Sequence, residues 1–179
     1  MFAIFLLASF LQVVHSETFY YFAYGSNLLA KRIHINNPTA VFYKPAKLED
    51  YRLDFGTYAE HWLGPGATIV YEPGKVVWGA LWTLDVKDIP HLDKQEGVDL
   101  NIYYVKNVNV TTLDGEQLEA RTYLHTDNPA KMADNEDLPR DRRPSNTYLQ
   151  VIALGAIECG IPSDYVGYLF SLPTNGNYA

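Results

Sequence analysis

Cysteine is almost absent from this chain of 179 residues, in which Cys159 is the single example. No intrachain disulfide can form, so the folded state must be stabilised by its apolar core alone. With 47% hydrophobic residues, the chain is long enough for one domain with such a core and too short for two large ones. Cys159 falls late in an apolar-periodic helix, where a small buried thiol is a better interpretation than a nucleophile.

Positive charge is also scarce, because 14 lysines and arginines stand against 21 aspartates and glutamates, for a net charge of −7. A protein that binds nucleic acid collects basic residues on one face, where they meet the phosphates. The one basic cluster, residues 140–143, is short and lies beside prolines, as is typical of a solvated loop. Nucleic acid is therefore not expected as a partner.

Several common catalytic patterns are missing from the sequence. It contains no Walker-type or dinucleotide-binding glycine pattern and no Gly-x-Ser-x-Gly elbow. The histidines at 34, 61, 91 and 125 do not have the spacing of metal ligands. Phosphoryl transfer, zinc hydrolysis and serine hydrolysis are all disfavoured.

The chain begins with an apolar run from Phe2 to Leu11, and Ser16 shortly after it is small enough for signal peptidase. Such a run is too short to span a bilayer comfortably, so no stable membrane span is expected. We predict a signal peptide at residues 1–16, a mature domain at residues 17–179, and a secreted protein. No lysine or arginine precedes the run, and cytoplasmic location is the alternative.

The rest of the chain reads as strands with helices inserted at intervals. Turn signals at residues 72–75 and 114–115 predict two hairpins, and capping residues mark the helices. This pattern predicts an α+β domain built around a small mixed β-barrel, or a strongly curved sheet, with flanking helices. The predicted strands are 40–43, 46–55, 67–71, 76–84, 102–112 and 116–125, and the predicted helices are 28–33, 85–96, 145–159 and 163–172.

The segment from Tyr21 to Leu28 predicts a strand that turns sharply into a short helix. Gly25, Ser26 and Asn27 stand at the turn, where small residues expose several backbone N–H groups in one place. Such a corner can hold an anion without a basic side chain. A carboxylate or phosphate is the expected guest.

Asp93 and Glu96 form an acidic pair three residues apart, on one face if the segment is helical. Glu96 would lie in the last helical turn, just before Gly97. The negative end of the helix dipole disfavours a charged carboxylate there, and partial burial would raise the pKa of Glu96 further. A carboxyl group in that state can exchange protons near neutral pH.

The motifs of this sequence, in order, resemble those of the γ-glutamylcyclotransferase family. The segment from Tyr21 to Leu28, followed by Arg32-Ile33-His34, is similar to the opening of that family. The likeness continues through residues 53–56, 77–79, 92–98 and 144–148, and covers roughly residues 19–160. The resemblance implies the small cyclotransferase barrel with flanking helices, no metal or organic cofactor, and a homodimer.

The activity implied by the resemblance converts a γ-glutamyl amino acid into 5-oxoproline and the free amino acid. The α-amine of the substrate attacks its own γ-carbonyl, so the protein supplies no nucleophile. Glu96 matches the family's catalytic glutamate, as general base and acid. The implied substrate-binding residues are Tyr21, Phe22, Ala23, Tyr24, Gly25, Ser26 and Tyr148.

Two alternatives to this activity stay open. A sister enzyme would act on γ-glutamylamines or on glutathione, and a non-catalytic binding module would keep only the barrel. Asn109-Val110-Thr111 is a glycosylation sequon, which matters only if the chain is secreted.

Overall fold

The computed structural model describes residues 17–133 and 136–179, and the expected signal peptide at 1–16 lies outside them. Five strands close into a barrel in the order β1-β3-β2-β4-β5. Neighbouring strands are antiparallel except at the closure, where β1 and β5 run parallel. The α+β mixed barrel expected from the sequence is confirmed. The strands are Thr18–Ala23 (β1), Val41–Ala59 (β2), Gly64–Asp85 (β3), Tyr103–Thr112 (β4) and Gln117–His125 (β5).

β2 and β3 form the longest pairing of the barrel, and both differ from the predicted strands. The two short strands expected at 40–43 and 46–55 are one strand, because Lys44 and Pro45 stay paired with β3 and only a register shift between Phe42 and Lys44 interrupts the ladder. The hairpin expected between 67–71 and 76–84 is wrong, since both halves of β3 pair with β2 instead.

The turn expected within that hairpin is a bulge in β3. Tyr71 pairs with Tyr51 and Val76 with Glu49, so residues 72–75 project opposite Asp50. The Asp50 carboxylate accepts a 2.8 Å hydrogen bond from the backbone N–H of Gly74. This local bond supports the bulge, and the long partner strand β2 determines the pairing.

The second predicted hairpin is confirmed as β4 and β5, whose partners run from Tyr103 opposite His125 to Thr111 opposite Gln117. Val105 faces Tyr123 in the same register. This register determines which tyrosines of β4 and β5 reach the barrel end that carries the candidate site.

The four helices lie between the barrel strands or after them in the sequence, as predicted. The first two predicted helices are each interrupted. Residues 28–33 divide into a 3-10 turn and a single-turn helix, and residues 85–96 divide into a 3-10 turn and a helix that begins beside Pro90. The helices are Ala30–Ile33 (α1), Ile89–Gln95 (α2), Asn146–Glu158 (α3) and Ser163–Ser171 (α4). The 3-10 turns are Ser26–Leu28, Glu60–Trp62, Val86–Asp88 and Arg140–Arg142.

α3 begins and ends as its sequence predicts. The Ser145 hydroxyl accepts a 3.2 Å hydrogen bond from the backbone N–H of Tyr148, and Gly160 follows the helix with φ of +67°. The capped start places Tyr148 in the first turn of α3. That turn faces the corner after β1.

α3 packs closely against that corner through Gly155. A Cβ at this position would lie 2.4 Å from the backbone nitrogen of Leu29, so only glycine fits. Cys159 is buried, as expected, and its thiol donates to the Leu28 carbonyl at 3.2 Å. Side chains from the strands, the corner and α3 form one continuous hydrophobic core.

The basic cluster at 140–143 is not simply a solvated loop, contrary to expectation. Arg142 forms an ion pair with Asp54, which is completely buried on β2 and also pairs with Arg52. A buried carboxylate needs such partners, since an unpaired charge there would be costly.

Among the described residues, no helix is both long and apolar enough to cross a membrane.

Candidate active site

A small cavity of about 40 Å³ lies at the corner where β1 leaves the barrel. It is formed by the corner itself, by the end of α2, by the start of α3 and by residues of four strands. Ten residues line it: Tyr21, Tyr24, Gly25, Ser26, Asn27, Ala67, Glu96, Tyr103, Tyr123 and Tyr148.

Glu96 enters this cavity from the end of α2. Its backbone N–H donates to the Leu92 carbonyl at 3.0 Å, and Gly97 follows with φ of +67°, so the helix ends here as predicted. The carboxylate oxygen Oε1 accepts hydrogen bonds from the Asn27 amide at 3.2 Å and from the Gln95 amide at 3.3 Å. Glu96 is therefore held by neutral donors.

The pKa of Glu96 is raised from 4.5 to about 7, chiefly because burial disfavours the charged form. The positive charge of Arg32 and the hydrogen bonds from Asn27 and Gln95 oppose this rise, while the charge of Asp93 adds to it. At neutral pH both protonation states are populated. Glu96 can therefore accept and return a proton, as the sequence suggested.

Five tyrosines surround the cavity, and burial raises the pKa of each hydroxyl above its usual range. These hydroxyls stay protonated at neutral pH and can donate hydrogen bonds. They give the cavity a polar lining without a basic side chain. The tyrosines are Tyr21, Tyr24, Tyr103, Tyr123 and Tyr148.

Tyr123 is oriented by an ion pair behind it. Its hydroxyl donates to Asp93 at 2.5 Å and accepts from Nε of Arg121 at 2.9 Å, while Arg121 also pairs with Asp93 at 2.5 Å. Asp93 is thus committed to these partners. Of the acidic pair seen in the sequence, only Glu96 lines the cavity.

Tyr148 and Tyr103 are both fixed by Ala67 on β3. The Tyr148 hydroxyl accepts from the Ala67 backbone N–H at 3.1 Å, and the Tyr103 hydroxyl donates to the Ala67 carbonyl at 2.8 Å. A Cβ on Gly25 would lie 3.3 Å from the Tyr148 hydroxyl, which is tight. The corner and α3 therefore approach each other closely at the cavity.

A second, larger cavity of about 370 Å³ adjoins the first and shares Ser26, Glu96, Tyr103 and Tyr148 with it. We call it the outer groove, and the first the inner cavity. The outer groove is lined further by the residues of the 3-10 turn 60–62 and by Arg32, Lys94 and His125. Glu96 thus stands where the two spaces meet.

The structure brings six of the eight sequence-predicted site residues into the inner cavity: Tyr21, Tyr24, Gly25, Ser26, Glu96 and Tyr148. The other two, Phe22 and Ala23, do not line it. Phe22 is completely buried in the core, and Ala23 is 1% exposed beneath the corner. The functional roles assigned to these residues stay predictions.

Sequence reasoning missed Asn27, Tyr103 and Tyr123 as lining residues. Asn27 lay in the predicted corner, and its position beside Gly25 and Ser26 was a usable signal. The two tyrosines come from β4 and β5, and only the barrel closure carries them to Glu96. Within the part of the chain that the structure describes, no group of three potential metal ligands is found.

Comparison with known proteins decides the family. Residues 76–169 match the AIG2-like family. The chain is 43% identical over 163 residues to γ-glutamylcyclotransferase of Mus musculus, an alignment that covers 89% of this chain and 81% of that protein. This chain belongs to the γ-glutamylcyclotransferase family. The Homo sapiens γ-glutamylcyclotransferase is 40% identical with the same coverage.

A solved structure of a γ-glutamyl cyclotransferase matches this chain with a TM-score of 0.82 and 38% identity. The match covers 91% of this chain and 92% of that structure. The likeness therefore includes the barrel, the corner and the helices that build the inner cavity.

Proposed function

We propose that this protein is a cyclotransferase that converts a γ-glutamyl amino acid into 5-oxoproline and the free amino acid. The observation that carries the proposal is Glu96, a partly buried carboxyl group with a pKa of about 7 at the junction of two cavities. Its position beside the corner and among tyrosine hydroxyls suits a substrate that supplies its own nucleophile. Family membership supports the same activity.

In the proposed reaction the inner cavity holds the glutamyl end of the substrate. The corner at Gly25 and Ser26 receives the α-carboxylate, because backbone donors at such a turn bind anions. The tyrosine hydroxyls limit the conformations of the glutamyl chain and bring amine and γ-carbonyl together. Such positioning can supply much of the acceleration of an intramolecular reaction.

Glu96 carries the proton in this proposal. As a carboxylate it takes a proton from the substrate's α-amine while the amine nitrogen bonds to the γ-carbon. As a carboxylic acid it then delivers a proton to the leaving nitrogen while the original amide bond breaks. A pKa near 7 suits both roles at neutral pH.

The first prediction is that Glu96→Gln abolishes most of the 5-oxoproline release. The amide keeps an acceptor oxygen for Asn27 and Gln95 but cannot exchange the proton, so kcat/KM should fall by about 10²- to 10⁴-fold. The assay measures 5-oxoproline released from γ-glutamyl amino acids, with the melting temperature as a check on folding.

Asp99→Asn is the matched control, because it removes the same charge at an exposed position a few residues further on. Its activity should equal that of the parent. Parent-level activity in Glu96→Gln would rule out the proposed role. A folded parent protein that releases no 5-oxoproline from any γ-glutamyl compound would favour the non-catalytic binding module.

Localisation and assembly complete the proposal. The apolar run at residues 2–11 supports entry into the secretory pathway, with cleavage after Ser16.

The family resemblance supports a homodimer. Light scattering on the purified mature chain, residues 17–179, measures its mass directly, and a monomeric mass would contradict the homodimer.

A further inference from the structure

Arg32 is a half-buried cation in the outer groove, and among the described residues no carboxylate forms an ion pair with it. Of the other half-buried arginines, Arg52 and Arg142 contact Asp54 and Arg121 contacts Asp93, while Arg143 donates to the Leu138 carbonyl at 2.8 Å. Partial burial of a guanidinium costs free energy unless an anion compensates it. Glu96 lies in the same groove and feels the charge of Arg32 without forming an ion pair with it, so an anion from outside the chain would supply the direct contact.

The guanidinium of Arg32 lies near the ring of Trp62, which in turn packs against Tyr148. Its central carbon lies 6.0 Å from the ring centre of Trp62, and the Trp62 ring lies 4.6 Å from that of Tyr148. Tyr148 lines both the inner cavity and the outer groove. Trp62 therefore lies between Arg32 on the wall of the groove and Tyr148 beside the inner cavity, and its ring offers Arg32 a cation–π contact.

The two spaces differ in charge. None of the residues that line the inner cavity is a lysine or arginine, whereas Arg32 and Lys94 both line the outer groove. The acidic residues of the outer groove are the exposed Glu60 and Glu96, which also lines the inner cavity. Burial lowers the pKa of His61 and His125, so these two groove residues are neutral at pH 7.

The inner cavity is much smaller than the outer groove, at about 40 Å³ against about 370 Å³, and Glu96 lies where the two meet. With the glutamyl end in the inner cavity and the reacting carbonyl at Glu96, the leaving amino acid must extend into the outer groove. Its carboxylate is separated from the leaving nitrogen by a single carbon atom.

We propose that Arg32 binds the carboxylate of the leaving amino acid, and so selects γ-glutamyl-α-amino acids over γ-glutamylamines. The inference rests on the proposed function, and it assigns Arg32 to substrate specificity. Arginine suits this task because its planar guanidinium can donate two parallel hydrogen bonds to one carboxylate. A γ-glutamylamine offers the groove no anion and leaves Arg32 unpaired.

The test compares γ-glutamylalanine with γ-glutamylethylamine, which differ only in that carboxylate. The parent should show a kcat/KM about 10- to 100-fold higher for γ-glutamylalanine, as expected for a charge-assisted hydrogen bond. Arg32→Met keeps an apolar stem beside Trp62 but removes the charge. It should lower kcat/KM for γ-glutamylalanine by about that factor more than for γ-glutamylethylamine, mainly through KM. Loss of the Arg32 charge also raises the pKa of Glu96, which affects both substrates alike, so the ratio of the two kcat/KM values is the quantity that tests the inference.

Two further variants sharpen the comparison. Arg32→Lys keeps the charge without the planar fork and should recover part of the selectivity. Lys31→Met removes the same charge from the neighbouring, exposed position, which does not line the groove, and should keep the parent's selectivity.

Equal losses for the two substrates in Arg32→Met would overturn the inference, because they would mean that Arg32 acts on the glutamyl end or through Glu96. Equal kcat/KM values in the parent would overturn it too, while leaving the proposed function intact. Failure of the parent to release 5-oxoproline from either compound would instead refute the proposed function, and the role of Arg32 with it.

Discussion

At the scale of single residues, Glu96 has two properties that a structural carboxylate seldom combines. It is partly buried, yet its hydrogen-bond partners are the neutral amides of Asn27 and Gln95. Asp54, by contrast, is buried between two arginines. Neutral donors allow burial to raise the pKa of Glu96, whereas Asp54 is held in ion pairs with Arg52 and Arg142. The two carboxylates show how environment separates a chemical role from a structural one.

The raised pKa of Glu96 predicts that stability depends on pH. Below its unfolded value of 4.5 the carboxyl group is protonated in both states, so burial costs nothing. As pH rises from 4.5 to about 7, the unfolded chain releases the proton more readily than the folded protein, and folding is progressively disfavoured. Glu96→Gln should therefore be more stable than the parent at pH 8, by about 1–3 kcal/mol, and nearly equal to it at pH 4.5.

Urea unfolding at the two pH values measures this difference, with Asp99→Asn as the control that should match the parent at both. The expected stability difference is smaller than the whole pKa shift of Glu96 would give, because its carboxyl group is partly open to the cavities. A difference between Glu96→Gln and the parent that is the same at both pH values would contradict the prediction. If the prediction holds, Glu96→Gln is a less active and more stable protein than the parent, as often occurs at functional sites.

At the scale of elements, the contact between α3 and the corner decides the shape of the inner cavity. Gly155 allows the helix backbone to approach Leu28 and Leu29, where any Cβ would meet backbone atoms at 2.4 and 2.6 Å. The Ser145 cap sets the start of the same helix, and hence the position of Tyr148. Glycine and cap together align α3 with the corner.

Gly155→Ala should separate α3 from the corner. Alanine favours a helix by up to about 1 kcal/mol over glycine, but the clash is with backbone atoms that cannot rotate away. We expect a net destabilisation of about 1–3 kcal/mol and a fall in kcat/KM of about tenfold or more, because the corner and Tyr148 move apart. Urea unfolding and 5-oxoproline release measure the two effects.

Gly167→Ala in α4 is the matched control, because a Cβ there would have no atom within 4 Å. It should be neutral or slightly stabilising, with unchanged activity. An unaltered kcat/KM in Gly155→Ala, beside a clear loss of stability, would show that the contact serves only the fold.

At the scale of the whole molecule, a barrel closed by both antiparallel and parallel strands is built without any disulfide, since Cys159 is the single cysteine of the sequence. The buried network of Asp54, Arg52 and Arg142 ties the segment before α3 to β2. Core packing and this network stabilise the fold through contacts between segments distant in sequence. A domain of this kind suits either an oxidising or a reducing compartment.

Secretion predicts a measurable modification at Asn109. This side chain is exposed on β4, within the sequon completed by Thr111. In a eukaryotic host the full chain should appear in the medium with its N-terminus at Glu17, carrying a glycan that a glycosidase removes. Asn109→Gln should abolish the mass shift and preserve activity. Full-length, unglycosylated protein confined to the cytosol would contradict secretion.

The sequence by itself determined the features that depend on neighbouring residues. Gly25 and Ser26 predicted the corner, Ser145 and Gly160 bounded α3, and Gly97 placed Glu96 at a helix end, because turns and caps are set by local backbone chemistry. The hairpin of β4 and β5 was predictable for the same reason. Family motifs then connected the corner to Glu96.

Only the tertiary structure decided what the local signals could not reach. β3 pairs with β2 along its length instead of folding on itself, because a long continuous partner offers more hydrogen bonds and burial than a short hairpin. The barrel closure brings Tyr103 and Tyr123 to Glu96, and the stack on Trp62 places Arg32 beside the groove. These contacts join distant segments, so strand register and packing, which the local pattern leaves open, determine them.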